Sequence, residues 1–188
     1  ITVGGPEVSY NPAQVLENKN IDYVMCGEGE EVFKNFLDKY GSDILSTKGL
    51  AYRKDGKVVI NPMENPLDLS SIPFVYKDMS DFENKIIYYE TSRGCPFSCS
   101  YCLSSIDKRI RFRNLELVKE ELKFFIDNNT AQVKFVDRTF NCNPGHAMEI
   151  WKYIKEHDNG ITNFHFEIAA DIMTDEELEL IKDMRPGL

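Results

Sequence analysis

No apolar run in this 188-residue chain approaches the roughly 20 residues that a bilayer span requires, so the sequence offers no transmembrane helix. The opening, ITVGGPEVSY, also lacks the charged-then-apolar pattern of a secretory leader. Basic residues are in the minority: 22 Lys and Arg face 31 Asp and Glu, for a net charge of −9. That balance argues against general nucleic-acid binding, which depends on neutralising phosphates. Histidine is scarce, with His146, His157 and His165 scattered, and no Ser/His/Asp or Cys/His arrangement is evident. Five cysteines are an odd count without the even spacing of a secreted disulfide framework, which suits a reducing, cytoplasmic setting with one metal or redox site.

The two ends suggest a piece of something longer. ITVGG reads as a strand entered in its middle, and IKDMRPGL ends just past a helix, at Gly187 as a terminator.

The second half of the chain repeats one theme, a β-rich run followed by a helical pattern. Residues 86–91 (IIYYET) predict a strand, and Asn114 then caps a helix with Leu115, Val118, Leu122 and Phe125 on one face. Residues 132–137 (QVKFVD) predict the second strand, and Asn143-Pro144 opens a helix whose apolar face is Ala147, Ile150, Trp151 and Ile154. Residues 164–169 (FHFEIA) predict the third. A capping box from Thr174 to Glu177 then starts a helix expected to bury Leu178 and Ile181. Repeated units of this kind predict parallel strands with helices packed outside them, and three units are too few to close a barrel.

The first 70 residues differ. ITVGG, a short helical stretch near 12–19, DYVMCGEGE and a helix over 30–40 suggest the end of an open α/β sheet. Asp55-Gly56 marks a hairpin within GLAYRKDGKVVINP. The proline-rich stretch 61–74 reads as a connector.

Between the first strand and its helix lies RGCPFSCSYC (93–102), with Cys95, Cys99 and Cys102 spaced C-x3-C-x2-C. One reading is a buried helical face, because i, i+4 and i+7 coincide; Gly94 and Pro96 oppose it. Structural zinc generally needs four protein ligands, and no second cysteine pair is present. An iron–sulfur cluster suits thiolates in a short loop, and three cysteines for four irons leave one iron open to a substrate or cofactor. The loop also follows a strand, the position that active sites occupy in α/β barrels. Cys26 and Cys142 stand alone and read as small buried residues.

CPFSCSYC resembles the signature of the radical S-adenosylmethionine enzymes, CxxxCxΦC, with Tyr101 as the aromatic residue. The resemblance implies that Cys95, Cys99 and Cys102 hold a [4Fe-4S] cluster whose open iron binds S-adenosyl-L-methionine, with Tyr101 beside the adenine. ETSRGCPFSCSYC as a unit resembles the branch with an N-terminal cobalamin-binding domain. In VGGP and DYVMCGEGE, which are similar to the last strands of that domain, Gly4, Gly5 and Gly27 would let the backbone approach the cobalamin nucleotide tail. FVDRTFN and FHFEIAADIMTDEELELI are similar to the second and third strand segments. By that likeness Asp137 and Asn141 would make polar contacts to the methionine moiety, with loop capping as the rival role. Glu167 would reach the ribose or substrate, with a solvated strand end as its rival. Ala169 stands where many relatives carry Arg.

The resulting expectation is an α/β fold in three parts. These are the C-terminal part of a Rossmann-like cobalamin-binding domain (1–45), a β-hairpin and proline-rich linker (46–80), and the first three βα units of a radical SAM partial barrel (81–188). The implied function is hydrogen abstraction by a 5′-deoxyadenosyl radical, serving cobalamin-dependent methyl transfer or ring rearrangement on a small molecule. Its electrons would come from a donor such as flavodoxin or ferredoxin. Methylthiolation of tRNA is the alternative enzyme, and a zinc- or cluster-binding interaction module the alternative outside catalysis. Two charged stretches carry paired readings. In DKRIRFR (107–113), Arg111 or Arg113 would offset cluster charge, or the run is a solvated face. GEGE (27–30) is an anion-binding turn or a simple helix start.

Overall fold

The computed structural model describes residues 1–106 and 108–186; Asp107, at the head of the basic run, and Gly187, the expected helix terminator, lie outside the described residues. The chain divides into two compact units, Ile1–Leu67 and Asp68–Leu188.

In the first unit β1 (Thr2–Gly4) is followed by two single-turn helices, α1 (Pro6–Ser9) and α2 (Pro12–Val15). Then come β2 (Tyr23–Met25) and α3 (Gly29–Asp38). The hairpin strands β3 (Leu50–Lys54) and β4 (Lys57–Ile60) turn on Asp55 and Gly56, both at positive φ. The four strands form one sheet in the order β1-β2-β3-β4, parallel between β1 and β2 and antiparallel thereafter. The hairpin is thus built into this sheet, not into a separate connector. Alternation along β2 sends Val24 to one face, with Leu16, Cys26 and Ala51, and Met25 to the other, with Val32, Phe36, Leu50 and Tyr52. The helical stretch expected over 12–19 stops after Val15, where Arg53 reaches across to the carbonyls of Leu16 and Ile21.

The second unit carries three parallel strands. β5 (Ile87–Tyr89) leads through the short β6 (Ser92–Arg93) and β7 (Arg111–Phe112) to α4 (Leu115–Asp127). β8 (Gln132–Phe135) leads to α5 (Pro144–Glu156), and β9 (Asn163–His165) to α6 (Asp175–Lys182). The sheet order is β5-β8-β9, with Ile87 opposite Val133 and Val133 opposite Phe164. Each strand is shorter than its β-rich run, since the chain leaves the ladder to form the loops above the sheet.

The helix starts follow local chemistry. The Asn114 side chain accepts from the amides of Glu116 and Leu117, and that of Asn143 from His146, each worth about 1 kcal/mol. Val118, Leu122 and Phe125 of α4 and Ala147, Ile150, Trp151 and Ile154 of α5 are all buried against Val133, Phe135 and Phe140. Thr174 and Glu177 form the reciprocal capping box of α6. The expected burial of Leu178 is corrected: it is half exposed, and Glu177, whose carboxylate folds back on the cap, is the buried residue of that turn. Among the described residues no helix is long and apolar enough to cross a membrane.

Candidate cofactor site at the strand ends

The cysteine loop leaves the carboxyl end of β5 and returns beside it. β6 and β7 pair antiparallel, Ser92 opposite Phe112 and Arg93 opposite Arg111, and the Arg113 amide donates to the Thr91 carbonyl at 2.8 Å. This two-strand ribbon closes the base of residues 94–110. Gly94 follows the first strand at φ 106°, and a Cβ there would collide with the backbone of Arg109. Only glycine meets both conditions.

Within the loop the three cysteines differ. Cys95 is buried, and its thiol lies 3.6 Å from Thr139 Oγ1; Cys102 is half-buried; Cys99 is exposed. The Cys102 amide donates to the Cys99 carbonyl, and a 3₁₀ turn over Leu103–Ser105 follows. The Ser104 amide and hydroxyl beside Cys102 pull its thiol below the ordinary range, with Arg138 adding positive charge. Tyr101 is 92% exposed. Among the described residues no three His, Cys, Asp or Glu side chains are gathered as a metal site. The donor chemistry nevertheless fits a thiolate-held cluster: three thiols in eight residues, one of them with a lowered pKa, on a loop closed at its base.

Below the loop lies a buried polar network that the sequence reading did not anticipate. Asp137, just past β8, is fully buried. Its Oδ1 accepts from the Thr91 amide at 2.8 Å, and its Oδ2 from the hydroxyls of Thr91 at 2.6 Å and Ser92 at 2.7 Å. Burial pushes its carboxyl up to about 6, against the opposing effect of the Thr91 and Ser92 hydrogen bonds. His146 Nε2 lies 3.2 Å from Thr91 Oγ1. Since that hydroxyl donates to Asp137, the imidazole donates to it. Burial holds His146 down to about 4, so it is neutral at pH 7.

The other expected site residues fall as follows. Asn141 is buried and spends its side chain on Ala169, accepting from the amide and donating to the carbonyl, both at 2.9 Å. Glu167 lies beyond β9, half exposed, 3.3 Å from Lys134 Nζ, while its carbonyl accepts from the Phe140 amide. Arg113 is spoken for: it binds Glu121 through two hydrogen bonds, 2.5 and 2.9 Å, both residues buried, and Tyr89 donates its hydroxyl to the same carboxylate. It is a structural ion pair, not a counter-charge for the loop. Glu28 precedes α3 as a plain helix start, accepting from the Leu67 amide. Cys26 is buried as expected, whereas Cys142 is only half-buried.

In the first unit Gly4 ends β1, and Gly5 and Gly27 follow β1 and β2 at positive φ. Ser9 ties the two strand ends together, donating to the Gly5 carbonyl at 2.7 Å and accepting from the Gly27 amide at 3.3 Å. A Cβ on Gly5 would meet nothing within 4 Å, so the β1 end is open to close backbone approach.

The sequence model described as the Radical SAM superfamily matches residues 89–187. An uncharacterized methyltransferase of Pyrococcus horikoshii is 34% identical over 170 residues, covering 83% of this chain and 37% of the relative. A Methanocaldococcus jannaschii protein, provisionally named a methylthiotransferase, is 34% identical over 123 residues, 63% of this chain and 26% of its own. Among solved structures, the radical S-adenosylmethionine methyltransferase TsrM of Kitasatospora setae, with cobalamin and a [4Fe-4S] cluster bound, superposes with a TM-score of 0.73. It is 18% identical, and the alignment covers 96% of this chain and 39% of TsrM. The chain therefore spans well under half the length of the proteins it matches. With the family's sequence model covering more than half of its residues, and the three-cysteine loop standing at the carboxyl end of a parallel sheet, this protein belongs to the radical SAM superfamily.

Proposed function

We propose that this chain is the cluster-bearing portion of a cobalamin-dependent radical S-adenosylmethionine enzyme acting on a small molecule. The observation that carries the reading is the closed loop bearing Cys95, Cys99 and Cys102 at the end of β5, within the matched residues. These three thiolates would hold a [4Fe-4S] cluster with one iron open to S-adenosyl-L-methionine. When bound, the pair supplies a 5′-deoxyadenosyl radical for hydrogen abstraction.

The chain's own residues shape the site. Tyr101, exposed on the loop, is available to an adenine face, and Glu167, held near Lys134, is available to a ribose or substrate hydroxyl. Gly4, Gly5 and Gly27 would admit the cobalamin tail; the opening above Gly5 supports this. Asp137 and Asn141 act through the residues they hold, Thr91 and Ser92 for the one and Ala169 for the other, because both are fully buried. The three parallel strands and their helices would be the first units of a partial barrel (81–188), with 1–45 the end of a cobalamin domain whose sheet the hairpin extends. A flavodoxin or ferredoxin would supply electrons in the cytoplasm.

Methyl transfer is the favoured reaction, supported by the methyltransferase names of the P. horikoshii relative and TsrM. Ring rearrangement is the variant within the same chemistry. The M. jannaschii relative supports methylthiolation as a second reading, and the net charge of −9 argues against an RNA substrate.

Anaerobic reconstitution with iron and sulfide tests the proposal. The expected result is broad cluster absorbance that is lost on Cys→Ala at 95, 99 or 102 and kept on Cys→Ala at 26 or 142. S-adenosylmethionine should perturb the reduced cluster's spin-resonance signal. Absorbance indifferent to the three loop cysteines would overturn the reading. Hydroxocobalamin titration, read by its absorbance, tests the cobalamin arm separately.

A further inference from the structure

The carboxylate of Asp137 poses a physical question. It is fully buried, and burying an ionised group costs several kcal/mol unless it is well paired. An apolar residue in its place would serve the fold alone equally well or better. Yet three donors converge on it, and all three come from the two residues at which the cysteine loop begins, Thr91 and Ser92. His146 supports the same hydroxyl from α5. One carboxylate thereby ties the exit of β5 to the exit of β8.

The first cysteine inherits this attachment. Cys95 lies three residues past Ser92, and its thiol rests against Thr139, two residues past Asp137. Both sides of Cys95 are therefore referred to the same strand exit. Cys99 and Cys102 are held differently: the described bonds around them are local to the loop, from the Cys102 amide to the Cys99 carbonyl and from Lys108 to Ser98.

The geometry points to Asp137 as a positioning residue for the cysteine loop: by gripping Thr91 and Ser92 it sets Cys95 in place before any cofactor arrives, and Cys99 and Cys102 close around that fixed point. This rests on the proposed reading of the three cysteines as cluster ligands. It differs from a direct contact between Asp137 and S-adenosylmethionine, from which full burial beneath Thr91 and Ser92 sets the carboxylate apart.

The test compares hydroxyl loss with shape change in the full chain: Thr91→Val against Thr91→Ser, and Ser92→Ala against Ser92→Thr, with Asp137→Asn alongside. Two quantities are read. One is amide hydrogen exchange over residues 91–95 and 109–113 in the cluster-free chain. The other is the rate at which a chelator strips iron after anaerobic reconstitution. Thr91→Val, Ser92→Ala and Asp137→Asn should each raise loop-base exchange and iron loss by roughly tenfold, as expected for a lost hydrogen bond to a charged group. Thr91→Ser and Ser92→Thr should restore wild-type behaviour, and exchange in α4 and α5 should not move.

Three outcomes would overturn the proposal: silence of Thr91→Val and Asp137→Asn, effects that follow side-chain shape and not the hydroxyl, or a rise spread equally over α4 and α5. A wild-type chain that takes up no iron would sink the proposed function instead, while the exchange measurement still decides whether Asp137 pins the loop.

Discussion

The backbone of Arg109 passes directly over the α-carbon of Gly94, so the two ends of the cysteine loop touch where no side chain fits between them. Gly94→Ala should force this contact apart and also strain a φ of 106°. A cost of about 1–3 kcal/mol for the backbone strain alone falls on the β6–β7 ribbon. The expected outcome is a chain with native helical circular dichroism but sharply reduced iron content after reconstitution. Full iron content would show that the ribbon does not govern the loop.

Arg113 and Glu121 make a buried pair with Tyr89. Removing only one partner, as in Arg113→Met, leaves Glu121 buried without its counter-charge and should cost about 3–5 kcal/mol in chemical denaturation. Replacing both, as in Arg113→Met with Glu121→Leu, should recover most of that loss. If Arg113→Met were as stable as wild type, the pair would hold nothing together.

Burial shifts Asp137 and His146 in opposite directions in the cluster-free chain. Asp137, raised from 3.8 to about 6, keeps a proton in the folded state that the unfolded chain releases, so its contribution to stability is full below pH ~4 and lost as pH rises through 6. His146, lowered from 6.5 to about 4, stays neutral where the unfolded imidazole is charged. Its contribution is full above pH ~6.5 and lost as pH falls through 4. The two slopes oppose each other across the shared window. Relative to wild type, Asp137→Asn should therefore lose stability as pH falls from 6 to 4, and His146→Gln should gain it. Urea midpoints at several pH values read both directions, and parallel curves for all three proteins would refute the assignment.

Thiol labelling should rank the loop cysteines. Cys99 is exposed, Cys102 is half-buried with its thiol pKa lowered by the Ser104 hydrogen bonds, and Cys95 is buried. In the cluster-free chain Cys99 and Cys102 should alkylate well before Cys95, and mass-resolved labelling checks the order. Loading the cluster should protect all three, and removing the iron with a chelator should restore the original ranking.

How much of this was legible in the sequence depended on distance along the chain. Asn114, Asn143 and the Thr174–Glu177 box act on amides two or three residues away, so type and spacing revealed the helix starts directly. The buried faces of α4 and α5 followed from periodicity. Leu178 defied it because α6 is short and its capping carboxylate, not an aliphatic side chain, turns inward. The cysteine loop was legible because its ligands are neighbours. Its foundation was not: Thr91 and Ser92 meet Asp137 across 46 and 45 residues, and Thr91 meets His146 across 55. Asp137 reads as a polar residue at a strand exit, but nothing local says that its donors are the two residues ahead of the cysteines. The commitment of Arg113 to Glu121, eight residues on, was hidden because the basic run around it reads as a counter-charge or a solvated face.

The β6–β7 ribbon has a consequence for assembly kinetics. Closing a loop of this size from an open chain is an entropic cost that would otherwise fall on cofactor capture. Here the fold meets it in advance, so the three thiols stay at high effective concentration whatever the loop interior is doing. Capture can then proceed stepwise, one sulfur at a time. The residues between the cysteines, Pro96 to Ser98 and Ser100 to Tyr101, are thereby relieved of holding the loop closed.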